Sequence, residues 1–108
     1  MMSKRIRVAE IYIHGILAAT LTQEDTHYCV QYYPEYQGPP ISLTLPVRTE
    51  PYNFNTFPAF FDGLLPEGPQ LEALLKQAKL DRNDYFGQLM QVGHNLVGAV
   101  NAVEKSHE

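Results

Sequence analysis

Asp62 and Glu67 stand five positions apart and are of the right type to share acid and base work. Their context assigns them simpler roles. Asp62 precedes Gly63, a turn pair, and Glu67 lies just before a helical stretch, where negative charge suits the helix dipole. No third polar partner stands nearby to complete a catalytic set. The four histidines, His14, His27, His94 and His107, are scattered singly, and Cys29 is the one cysteine. Zinc sites need ligands at short spacings, which this pattern lacks. Phosphoryl transfer needs a Gly-rich loop, a pairing Lys and metal-holding Asp residues. Tyr85-Phe86-Gly87 matches only the last two residues of Asp-Phe-Gly, and without the Asp it cannot hold Mg²⁺. There is no Gly-x-x-x-x-Gly-Lys loop and no Gly-x-Ser-x-Gly elbow. The expectation is a chain with no catalytic residue, no metal and no cofactor.

Composition narrows the class further. At 108 residues, with 44% hydrophobic and 19% charged residues, residues 1–108 read as one globular domain. A chain of this size buries roughly two-thirds of its unfolded surface. The net charge of −4 argues against direct nucleic-acid binding, which draws on Lys and Arg to neutralise phosphates. Lys4, Arg5 and Arg7 cluster, but three charges on a terminal strand fit a solvated edge better than a phosphate track. A single cysteine excludes an internal disulfide, and Cys29 is expected as a small core residue. Glu10 and His14 interrupt the first apolar stretch, so no signal peptide is read. No run approaches the ~18 apolar residues of a membrane span. A cytoplasmic location is expected.

The elements that position these residues divide the chain into halves. Val8–Ile13 is rich in β-branched and aromatic residues and reads as a strand. His14-Gly15 offers a tight turn, Ile16–Leu21 returns antiparallel, Thr22–Thr26 reads as a loop and His27–Tyr32 as a third strand. The apolar phase slips between Val8 and Ile11, which a bulge or a later strand start would explain. Six of the eight prolines fall between residues 34 and 58, which disfavours long regular elements there. Ile41–Leu45 alternates apolar and polar and suggests a short strand. Tyr36, Tyr52, Phe54 and Phe57 imply that the rest of this segment wraps the core. Pro69 suits a first helical turn, followed by Leu71, Leu74, Leu75 and Ala78 on one face. Asp84 is a good N-cap for a second helix bearing Phe86, Leu89 and Met90, with Gly93 closing it. Gly98–Val103 reads as a closing strand. The fold class is α+β: a small antiparallel meander in the first half, then two short helices and a closing strand in the second.

Phe60-Phe61-Asp62-Gly63-Leu64-Leu65-Pro66-Glu67-Gly68 is the least easily explained segment. On a strand, one of two adjacent apolar residues faces away from the core. Both Phe60/Phe61 and Leu64/Leu65 pose this problem. A surplus apolar face on a small acidic domain suggests a partner surface.

Gly38-Pro39-Pro40-Ile41-Ser42-Leu43-Thr44-Leu45-Pro46, the Phe60–Gly68 segment and Val97-Gly98-Ala99-Val100 together resemble the N-terminal subdomain 1 of HipA-type serine/threonine toxin kinases of bacteria. The resemblance runs from about Val8 to Val103. One departure is His94-Asn95, where that family often has Gly-Asp, which weakens any role for an acidic residue there. The kinase's catalytic region has no counterpart in this sequence, an arrangement that resembles the HipS-like antitoxins. The resemblance implies a cytoplasmic, non-enzymatic antitoxin of a three-component system. Its partner would be a HipA-like serine/threonine kinase, neutralised by docking on the N-lobe, with a helix-turn-helix DNA-binding protein as the third component. Phe61, Leu65, Pro66 and Glu67 are the expected kinase contacts. The alternative is a non-inhibitory subunit that completes the fold of a split kinase. A fragment of a full-length kinase is disfavoured by Met1 and the polar ending Lys105–Glu108, which read as natural ends.

Overall fold

The computed structural model describes residues 6–96 and 98–105. β1 (Ile6–Ile13) and β2 (Ile16–Glu24) form a hairpin, β3 (His27–Tyr32) extends it, and β4 (Tyr52–Phe54) and β5 (Val100–Glu104) add the edges. The order is β4-β3-β2-β1-β5, antiparallel throughout. His14 and Gly15 make the first turn at φ 52° and 79°. Positive φ at both positions is the type I′ pattern of two-residue hairpin loops, which matches strand twist, and glycine adopts it at no steric cost. The expected Thr22–Thr26 loop is shorter than the sequence suggests. β2 runs through Glu24 and turns on Asp25, itself at φ 56°. Asp tolerates that region better than most residues, which is why the turn can be so tight.

β1 has no phase slip. Ala9, Ile11 and Ile13 are buried on one face, and Val8 belongs to the other. The irregularity lies in β2 instead: Ile11 opposes Ala19 while Tyr12 opposes Leu17, leaving Ala18 as the extra residue. Both alanines are fully buried, so the bulge brings two consecutive small side chains into the core. Cys29 is half-buried on the face opposite Tyr28, Val30 and Tyr32, and so differs from its expected core position.

The proline-rich stretch contributes β4, which the sequence did not suggest, while Ile41–Leu45 is a turn with a single bridge between Ser42 and Leu45. Three helices follow: α1 (Ala59–Asp62), α2 (Gly68–Ala78) and α3 (Tyr85–Val92). α1 carries Phe60 and Phe61 on a helical turn, where the sequence suggests no regular element. Asp84 caps α3 as expected, accepting from the Gly87 N–H at 2.9 Å. Its carboxylate also pairs with Arg7 at 2.9 Å, and the Arg7 guanidinium lies 4.7 Å over the Phe86 ring. β1 and the start of α3 are thereby tied together. Gly93 differs from the expected left-handed cap: its φ is −61°, and it opens a 3-10 turn, Gly93–Asn95.

The core lies between one sheet face and the helices. Its largest fully buried side chains are Phe61, Phe86, Ile11, Leu21, Leu89, Gln88 and Val30. Gln88 is a polar exception that is satisfied, donating to the Arg82 carbonyl at 3.0 Å and so holding the α2–α3 connection. No helix among the described residues is long and apolar enough to cross a membrane.

Candidate partner-docking surface

The Phe60–Gly68 segment resolves its doubled apolar residues by helical rather than strand geometry. α1 is a single turn, with Asp62 N–H donating to Pro58 O at 3.0 Å and Gly63 N–H to Ala59 O at 3.0 Å. Two further turns follow, Leu64 N–H to Phe61 O and Leu65 N–H to Asp62 O. This coil turns Phe61 wholly into the core and leaves Phe60 half-buried, edge-on to it at 5.3 Å between ring centroids. Phe61 therefore departs from its expected place as a contact residue, because a side chain with no exposed surface has nothing to offer a partner. Leu64, Leu65 and Pro66 are half-buried and Glu67 is exposed.

Leu65, Pro66 and Glu67 line one shallow cleft of about 290 Å³ together with Leu71 of α2 and Tyr85 of α3. Asp62 and Arg82 stand on its walls. Glu67 occupies the position before α2, is exposed, and makes no capping hydrogen bond with its side chain. Gly68 follows at φ 60°, which gives the sharp entry into α2, and Pro69 lies in the first turn. α2 is amphipathic but buries none of its residues fully. Its stripe of Leu71, Leu74, Leu75 and Ala78 is half-covered, which continues the apolar character of the cleft along the helix.

Tyr85 and Leu71 were not singled out as cleft residues from sequence. Leu71 carried a signal in its place on the apolar helix face. Tyr85 carried none, because its position depends on the angle at which α3 leaves its cap. A second concavity, about 730 Å³ and more apolar, lies beside the β1–β2 turn between Ile13, Ile16, Leu17, Tyr33, Tyr36 and Pro39.

The three described histidines remain apart. His14 is in the hairpin turn, His27 pairs with Asn53 at 3.0 Å, and His94 lies 3.2 Å from the Asn95 amide. His107 is outside the described residues, as are Lys4, Arg5, Val97, Met1 and residues 106–108. Among the described residues, no three His, Cys, Asp or Glu side chains form a metal-holding group. Burial pushes the Cys29 thiol above its ordinary value, which disfavours the nucleophilic thiolate.

The chain matches the HipA N-terminal domain family over residues 9–103. It is 29% identical over 104 residues to a Haemophilus influenzae protein of unassigned function, covering 96% of this chain and 98% of that one. It is 27% identical over 109 residues to a candidate kinase of Sinorhizobium fredii, of which the match spans only 26%. Its fold is similar to a solved N-terminal domain of HipA toxin, with a TM-score of 0.78, 27% identity, and coverage of 99% of this chain and 100% of the other. The sequence match from strand β1 to strand β5, and the fold shared end to end, lead to one conclusion: the chain belongs to the HipA N-terminal domain family.

Proposed function

We propose that this protein is a non-enzymatic, cytoplasmic antitoxin that acts as one domain, residues 1–108, and neutralises a HipA-like serine/threonine kinase by docking on its N-lobe. The observation that carries the reading is the pair of relatives. The Haemophilus protein matches this domain along nearly its whole length, while the Sinorhizobium candidate kinase carries the same region as about a quarter of a longer chain. A module that adjoins a kinase in one chain has a surface suited to a kinase in another. A helix-turn-helix DNA-binding protein is the third component of the proposed complex.

Docking neutralises a kinase only if the inactive arrangement is bound more tightly than the active one, because a ligand shifts an equilibrium by its differential affinity. The N-lobe holds segments that must order for catalysis, and a rigid module set against it can keep them from doing so. The proposed contacts are Leu65, Pro66 and Glu67, with Leu71 and Tyr85 beside them. Leu65 and Pro66 supply apolar area, and Glu67 supplies a negative charge at the rim.

Co-expression tests the reading. A HipA-like kinase that lacks this domain is induced with and without the protein, and the pair is then purified. Restored growth with a stable complex is the expected result. A complex that leaves the kinase toxic, or raises its activity, would make the protein a supporting subunit and overturn the antitoxin reading.

A further inference from the structure

Leu43 is 95% exposed, while the other exposed large hydrophobic residues among the described ones range from 36% to 62%. Isolated apolar residues are ordinary on protein surfaces, but the others exposed here keep more than a third of their area covered. Leu43 rests on almost nothing. It sits at the tip of the Ser42–Leu45 turn, where Leu45 N–H donates to Ser42 O at 3.1 Å. The turn's own chemistry is supplied by its neighbours: the Ser42 and Thr44 hydroxyls are 2.9 Å apart, and the Thr44 N–H donates to Ser42 Oγ at 3.3 Å. Nothing in that geometry calls for leucine at the tip, where small polar residues are usual.

The turn is also held firmly from beneath. Ile41 and Leu45 on either side are 5% and 4% exposed. The Tyr32 hydroxyl lies between them, accepting from the Ile41 N–H at 2.8 Å and donating to the Leu45 carbonyl. Tyr36 stacks on Tyr32 with centroids 6.0 Å apart and donates to the Pro39 carbonyl at 2.6 Å. Pro39, Pro40 and Pro46 restrict the backbone before and after the turn. Because the backbone beneath Leu43 is already fixed by these contacts, binding through it costs little backbone freedom, which is the preorganisation an interface anchor uses. Next to it, Thr44 lines a crevice of about 140 Å³ with Leu45, Phe54, Pro58 and Phe60. A partner that received Leu43 would also cover this crevice.

We infer that Leu43 is a preformed anchor that inserts into an apolar pocket of the kinase chain. This rests on the kinase-binding reading above. The kinase is chosen as occupant because the candidate kinase of Sinorhizobium fredii holds the same domain within a single polypeptide. The anchor lies on a turn separate from the Leu65–Glu67 cleft, so it defines a second point of contact.

The test compares wild type, Leu43→Asp and Leu43→Met for binding to a HipA-like kinase chain that lacks this domain, by titration calorimetry, with thermal melting of each free protein. All three should melt at the same temperature, because the side chain packs on nothing. Leu43→Asp should bind at least about tenfold more weakly, and Leu43→Met close to wild type. If wild type and Leu43→Asp bind equally, the anchor is refuted and the kinase reading stands. If wild type itself fails to bind the kinase, both fall. Self-association of wild type that Leu43→Asp abolishes, with kinase affinity unchanged, would assign the anchor to a second copy and overturn the inference as stated.

Discussion

Tyr32 serves both the core and the loop that wraps it. Its ring is 3% exposed in the core, and its hydroxyl joins both ends of the Ile41–Leu45 turn. Tyr32→Phe keeps the ring and removes both hydrogen bonds, leaving a buried N–H and a buried carbonyl without that partner. The expected loss is about 1–3 kcal/mol, read from urea denaturation. A loss below experimental error would mean that water or a shifted backbone replaces the hydroxyl. The same residue contributes to a pH effect. Burial, first among the causes, raises the Tyr28 and Tyr32 phenols above their ordinary value of about 10. The folded chain then holds these protons more tightly than the unfolded chain. Stability is therefore full below pH about 10 and falls as pH rises through the folded values. Denaturation midpoints at pH about 8 and about 11 should differ in that direction, and Tyr32→Phe should flatten the fall.

Gly93 illustrates at the element scale why parts of the fold were legible and others were not. A glycine after an amphipathic stretch reads as a left-handed helix cap. Yet Gly93 has an ordinary right-handed φ, and the reason for glycine is space: a Cβ there would lie 2.3 Å from the Ala102 carbonyl oxygen. The close approach of the end of α3 to β5 is a tertiary fact with no local signature. Gly93→Ala must push the two elements apart, and should cost about 1–3 kcal/mol as overpacking does. Unchanged stability in thermal melting would refute that account. What depended on local pattern was readable: the alternation of β1 and β3, the His14-Gly15 turn, the Asp84 cap and the α2 stripe. What depended on distant partners was not. β4 is only three residues long and exists because β3 offers it an edge. α1 emerges because helical turns bury Phe61 while strand alternation would have treated Phe60 and Phe61 as an inside–outside pair. The same coiling separated the expected contact residues, sending Phe61 into the core and leaving Leu65, Pro66 and Glu67 in the cleft.

On the scale of the molecule, the core is closed while one helix remains half-covered. The sheet buries one face against α1 and α3, whereas α2 buries none of its residues fully and runs beside the cleft that holds Leu65. A partner that binds the folded domain and not the unfolded chain must stabilise it by mass action. At a free kinase concentration of about 100 times Kd, the gain is about 2.7 kcal/mol. For a domain near 100 residues that corresponds to a rise in Tm of roughly 10 °C or more. Leu65→Asp should remove most of that rise, because docking would bury a charge with no partner. Leu65 is half-buried, so the variant's own melting temperature can fall for reasons unrelated to binding. The decisive quantity is therefore the shift on adding kinase, measured for each protein against itself. A full shift in Leu65→Asp would remove the cleft from the interface even if the complex is real. A shift lost in Leu65→Asp and retained in Glu67→Gln would assign the contact to apolar area at the cleft floor, with the rim charge steering approach more than holding the complex.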